Sequence, residues 1–142
     1  MKVEKKRFIW ILWIGIFALS IFFSRAYAAH DEIPRIQIEQ LKELIDSGAD
    51  IVILDAQPKS IYNQGHIKGA LSLPWVAELK ETDVQHLSKE KLTITYCDCG
   101  PGENDSADLA AQLIDLGLRG VKVLSDPSIR GWEKAGFPLE KK

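Results

Sequence analysis

Cysteine is scarce in this 142-residue chain: there are two, Cys97 and Cys99, with one residue between them. A bridge across so short a span closes too small a ring to restrain an unfolded chain, because that stabilisation grows with loop length. A disulfide framework is therefore excluded, and the fold must rest on its core. No stretch interleaves Lys or Arg with aromatic residues, so the electrostatic footprint of a nucleic-acid binder is missing too. There is no internal repeat and no low-complexity tail. Long uncharged runs are equally rare: the one from Phe8 to Phe23 holds 16 residues, whereas a spanning helix takes about 20.

What is left has the composition of one folded domain, with 46% apolar residues, 27% charged residues and a formal net charge of −2. The charges are unevenly placed. Lys2, Lys5, Lys6 and Arg7 precede the uncharged run and Ala26-Tyr27-Ala28 follows it. Basic region, apolar region and small-residue cleavage site, in that order, make a secretory signal peptide over residues 1–28. Cleavage is expected after Ala28. Left uncut, residues 8–23 would serve as an N-terminal anchor, and only then would the membrane be a partner. Either way the basic flank stays inside and the remainder is exported, with the periplasm as the expected location. Loss of residues 1–28 removes five positive charges and one negative, so the remaining 114 residues carry a net charge of −6.

Residues 29–35 read as a linker and 36–142 as the domain. Ile38, Leu41, Leu44 and Ile45 recur at helical spacing until Ser47-Gly48. Ile51 to Leu54 is apolar on both faces, as a strand buried in a parallel sheet would be. Pro58 opens a helix that Gly65 ends, Gly69 to Pro74 gives a short strand, and Val76 to Lys91 reads as one or two short helices. Leu92 to Tyr96 is the next strand. After Gly100-Pro101-Gly102, helix resumes near Ser106 and runs to Gly117, followed by a strand over Val121 to Leu124 and a helix around Trp132. Such alternation predicts an α/β fold, a central parallel sheet with helices on both faces.

Ligands of open parallel sheets bind beyond the carboxyl ends of the strands, and Cys97 falls there. A glycine-rich loop and a helix N-terminus follow it, so backbone N–H groups can converge on its sulfur and favour the thiolate. The alternative is a small buried residue that merely ends a strand. A Cys-x-Cys pair can hold a soft metal, but no Met or His stands beside this one to complete a site, so neither a metal nor a cofactor is expected.

Asp55 at a strand end, Tyr62 with Gly65-His66-Ile67-Lys68-Gly69-Ala70 and Pro74, Tyr96-Cys97 before a loop, and Gly131-Trp132 with Gly136-Phe137-Pro138 together resemble the rhodanese-like domain. The resemblance runs from about Ile36 to Leu139 and implies a single domain. It implies that Cys97 accepts a sulfane sulfur, becomes a persulfide and passes the sulfur to a thiol. The loop backbone would cradle the bound group, which makes Asp98, Cys99, Gly100, Gly102, Glu103, Asn104, Asp105 and Ser106 the candidate binding residues. His66 resembles a structural residue that closes a turn, and Asp55 one that fixes a strand end. The partners implied are a sulfur donor and a thiol acceptor, small or protein-bound, and a monomer is expected.

The chain also departs from that pattern. Active rhodanese loops typically read Cys-x-x-Gly-x-Arg-Ser, whereas Ser106 lies nine residues after Cys97, a loop longer by three. The loop arginine is missing, and Gln57 stands where an arginine commonly follows the strand-end aspartate. Asp98, Glu103, Asp105 and Asp108 make the segment acidic, so thiosulfate, a dianion, is an expected poor donor. Two other readings stay open: a non-catalytic binding module on the same fold, and a thiol redox protein using Cys97 and Cys99. Phosphatase-like chemistry is disfavoured, since no loop arginine is there to clamp a tetrahedral oxyanion. The targeting segment yields a first prediction: N-terminal sequencing of protein recovered from the exported fraction gives Ala29 as the first residue. Full-length chain in the soluble cytoplasm would overturn it.

Overall fold

The computed structural model describes residues 33–142; the expected cleavage site and the stretch 8–23 lie outside the described residues. Five strands form one parallel sheet in the order β1-β6-β5-β2-β4, with β1 Arg35–Ile36, β2 Ile51–Asp55, β4 Leu71–Ser72, β5 Leu92–Tyr96 and β6 Val121–Leu124. Both faces of the sheet are covered: β2 is apolar on both, while β5 turns Ile94 and Tyr96 to one face and buries Thr93 and Thr95 on the other. On one, Ile53, Ile94, Tyr96 and Leu124 pack with Leu41 of α1 (Ile38–Asp46) and Trp132 of α5 (Ser128–Lys134). On the other, Leu54, Val121 and Val123 pack with Leu109 and Leu113 of α4 (Asn104–Asp115). The fold class expected from the alternation of elements is the one observed.

Local differences have local causes. Arg35–Ile36 pairs with Val123–Leu124 and Ile33 is buried, so packing reaches into the stretch read as a linker. Two residues cannot display a periodicity, and only the neighbouring strand makes them a strand. The same holds for β3 (His66–Ile67) and β7 (Leu139–Glu140), which form an antiparallel ribbon of their own. The polar segment 76–91 holds one short helix, α3 (Glu81–Val84), whose Lys80 N–H donates to Asp83 Oδ2 at 3.0 Å. Between β2 and β3 lies α2 (Lys59–Gln64), ended by Gly65. α4 starts two residues before the expected Ser106, because Glu103 takes a left-handed conformation, φ 47°, and turns the chain into the helix at once.

The β2–β5 register positions the chemistry. Asp55 lies opposite Tyr96, so both strands leave the sheet at the same level, and Ala56 N–H donates to Tyr96 O at 2.9 Å to hold the two exits together. Cys97 is the first residue beyond that edge. On the far side, Gly131 lies where α5 meets Pro127 and α1: a Cβ there would come within 2.6 Å of Pro127 Cγ and 3.5 Å of Ile38 Cδ1. A proline ring has little freedom to move aside. Gly131→Ala is therefore expected to cost about 1–3 kcal/mol in overpacking, against less than ~1 kcal/mol gained in helix propensity. Denaturant unfolding should show a lower midpoint than the native protein's; an equal or higher midpoint would mean that this contact is not tight.

Candidate active site

The strand ends are joined by a buried polar network. The Tyr96 hydroxyl donates to Asp55 Oδ2 at 2.6 Å and accepts from the Ile67 N–H at 3.1 Å. The Gln57 N–H donates to Asp55 Oδ1 at 2.8 Å, and its side-chain Nε2 donates to Oδ2 at 3.2 Å. Burial pushes the Asp55 carboxyl above its usual range, and the hydrogen bonds from Tyr96 and Gln57 oppose that push. Burial, with the Asp55 charge beside it, drives the Tyr96 hydroxyl far up, so it keeps its proton and remains a donor. His66 is buried, stacks on Tyr62 at 3.7 Å, and has Nδ1 2.8 Å from the Tyr62 carbonyl oxygen. That places it at a turn, away from the cysteines.

From Cys97 the loop turns through Gly100 and Gly102, both with positive φ (75° and 97°), which glycine adopts without strain. Cys97 and Cys99 are joined by a disulfide, their Cα atoms 5.5 Å apart. Ser106 Oγ lies 3.4 Å from Cys97 Sγ and donates to the Glu103 carbonyl at 3.1 Å, so the first turn of α4 sets a hydroxyl against the sulfur. Asp98 pairs with Arg130 of α5. Glu103 is buried: its Oε2 accepts from Arg35 Nε at 3.2 Å and its Oε1 from the Asp126 N–H at 2.5 Å.

A cleft of about 260 Å³ opens beside the cysteines, lined by Gln57, Pro58, Ile61, Cys97, Asp98, Cys99 and Asp105. Four of the residues expected from the sequence thus share its wall, and Ser106 stands behind Cys97. Gly100 and Gly102 shape the loop and Asn104 opens α4; none of the three lines the cleft. Glu103 is the clearest departure. Its carboxylate is a structural tie to Arg35 and to the backbone before Pro127, and it does not line the cleft. Gln57, Pro58 and Ile61 form the opposite wall; the position of Gln57 two residues after the strand-end aspartate was the available signal, while Pro58 and Ile61 had none. Arg35 and Arg130 lie far away in sequence and gave no sign that they would meet the loop. Among the described residues, no group of three or more His, Cys, Asp or Glu is placed to hold a metal ion.

A strand-end cysteine in a glycine-turned loop, on a five-stranded parallel sheet, is the architecture of a known class. Residues 37–135 match the model of the rhodanese-like domain, most of the chain, and the chain belongs to that family. Among solved structures it is similar to the BH2092 protein from Bacillus halodurans, with 32% identity, a TM-score of 0.69 and 86% of each chain covered. It is also similar to the rhodanese-like domain of the Alr3790 protein from Anabaena sp., with 26% identity, a TM-score of 0.66, and 77% of this chain and 80% of that one covered. A third similar structure is a thiosulfate sulfurtransferase from Pseudomonas aeruginosa, with 27% identity and a TM-score of 0.63 over 84% of this chain and 22% of that one. Sequence comparison with curated proteins gives no match.

The network predicts a pH-dependent loss. A carboxyl held above its unfolded value binds protons more readily when folded, so its burial costs stability as pH rises from the ordinary carboxylate range through the raised value. Tyr96→Phe removes a hydrogen bond that favours the carboxylate and leaves the Ile67 N–H without its partner. It is expected to destabilise by about 1–3 kcal/mol at neutral pH, with a smaller deficit near pH ~4, where a larger share of Asp55 carries its own proton. Urea unfolding at the two pH values checks this; equal deficits would show that the Asp55 charge is not involved.

Proposed function

We propose that this protein is an exported sulfurtransferase or persulfide carrier in which Cys97 accepts a sulfane sulfur and hands it to a thiol. The observation that carries the reading is the position of Cys97: first residue beyond the sheet edge, in the wall of a small cleft, with a hydroxyl at its sulfur. Such a cleft suits one small sulfur group at the end of a donor. Backbone N–H groups of the loop and the N-terminus of α4 stabilise negative charge on the sulfur. Export is supported by the basic-apolar-small order of residues 1–28.

Donor choice follows from the lining. No Lys or Arg lies among the cleft residues, and the two nearby arginines are engaged with Asp98 and Glu103. Those pairs offset the charges of Asp98 and Glu103, while the Asp105 carboxylate stays in the cleft wall, so the missing cation and Asp105 both count against an anionic donor. A unit pair at ~4 Å is worth about 4 kcal/mol at an effective dielectric near 20. Halved for exposure, about 2 kcal/mol remains, roughly 30-fold in rate.

The test measures sulfur transfer to a thiol acceptor from an alkyl persulfide and from thiosulfate. The persulfide is preferred by about 30-fold or more, Cys97→Ser abolishes transfer from both, and Asp105→Arg raises thiosulfate turnover. Transfer that survives Cys97→Ser would overturn the assignment. Equal use of both donors, with no gain in Asp105→Arg, would overturn the account of donor choice.

A further inference from the structure

Acceptance of sulfur by Cys97 requires no second cysteine, yet Cys99 is bonded to it. Resting on the sulfur-acceptor reading above, we propose that the protein also discharges its own persulfide: Cys99 attacks Cys97 Sγ and expels the sulfane sulfur as sulfide. Supplied with a dithiol, it is then a persulfide reductase.

The loop is built to bring the second sulfur back onto the first. The Cα atoms of the pair lie 5.5 Å apart, inside the usual range for bridges of about 4.4–6.8 Å, so the bond closes without moving the backbone. Both flanks of the loop are tied down. Asp98, between the cysteines, is held by Arg130, and Glu103 is held by Arg35 and the Asp126 N–H. Gly100 turns the chain directly after Cys99, and its carbonyl accepts the Glu103 N–H at 3.1 Å. Cys99 Sγ thus reaches the Cys97 sulfur itself, and attack there expels the outer sulfur.

The step balances. The Cys99 thiol gives up its proton, its sulfur bonds to Cys97 Sγ, the bond from Sγ to the sulfane sulfur breaks, and that sulfur leaves with the electron pair as HS⁻ and takes up a proton. Persulfide and thiol become disulfide and hydrogen sulfide; Cys99 is oxidised and the sulfane sulfur reduced. Recovery uses the unequal burial of the pair. Cys97 is 2% exposed, while Cys99 is only partly buried and lines the cleft. A dithiol therefore attacks Cys99 Sγ and frees Cys97 as the thiolate, and its second thiol resolves the mixed disulfide. Two electrons and two protons pass from the dithiol, which becomes a disulfide.

A single-turnover experiment decides the matter. Pre-reduced protein receives one equivalent of glutathione persulfide, so that the glutathione released by donation is the only other thiol, and sulfide and intact mass are followed, with Cys97→Ser as the blank. Native protein should release one equivalent of sulfide per chain and end about 2 mass units lighter than its reduced form. Cys99→Ser should instead hold about 32 extra mass units on the peptide containing Cys97 and release sulfide about tenfold more slowly or worse. Native protein that keeps the added sulfur and releases no sulfide overturns the proposal, without need of any variant. So does sulfide release from Cys99→Ser at the native rate. If Cys99→Ser gains no mass at Cys97, the sulfur-acceptor reading itself fails, and this inference with it.

Discussion

The hydrogen bond from the Tyr96 hydroxyl to the Asp55 carboxylate joins the carboxyl ends of two neighbouring strands, and the site hangs from it. The parallel register makes the two residues neighbours. A buried carboxylate must be supplied with donors, and here Tyr96, Gln57 and the Gln57 backbone supply them. That requirement draws residue 57 against the strand end, where it becomes one wall of the cleft. The Tyr96 hydroxyl also takes the Ile67 N–H, so one polar cluster sets β2, β5 and the turn at His66 at the same time. Cys97 follows Tyr96 and has its position dictated by it.

Electrostatics around the loop come from the tertiary fold more than from the loop itself. Read along the chain, the segment from Cys97 to Asp108 carries four carboxylates and no cation. In three dimensions β1 supplies Arg35 to Glu103 and α5 supplies Arg130 to Asp98. Glu103 is almost fully buried, and Arg35 is its charge partner. Arg130 is largely exposed, so its pair with Asp98 orients the loop more than it stabilises the fold. The cations act as tethers and leave the cleft without a positive wall.

The sheet was legible because its central strands are β-prone runs, with Ile51 to Leu54 continuously apolar, Leu92 to Tyr96 alternating with threonine and Val121 to Leu124 broken only by Lys122, each ended by a polar residue, a cysteine or a turn. The helices α1 and α4 were legible from their apolar spacing. Two-residue strands such as Arg35–Ile36 and His66–Ile67 were not, since their pairing is decided wholly by partners distant in sequence. Within the site, Cys97, Cys99, Asp98, Asp105 and Ser106 could be read from the loop, because a strand end followed by glycines fixes where they go. The direction of the Glu103 side chain could not. It depends on a left-handed backbone at that residue and on an arginine 68 positions away. Ile61 entered the cleft wall through the packing of α2, which no local pattern encodes.

The two cysteines have unequal places in this account: one ends a buried strand and the other rides the loop that follows. As proposed, the first receives sulfur and the second decides how long it stays. The central claim is that the sulfur arrives on Cys97 inside the cleft. A crystal structure of the Cys99→Ser protein after exposure to an alkyl persulfide tests it most directly. The account predicts one additional sulfur atom bonded to Cys97 Sγ, between Gln57 and Ile61 on one side and Asp105 on the other. An unmodified Cys97 in crystals where sulfur has been taken up elsewhere, or not at all, would contradict it.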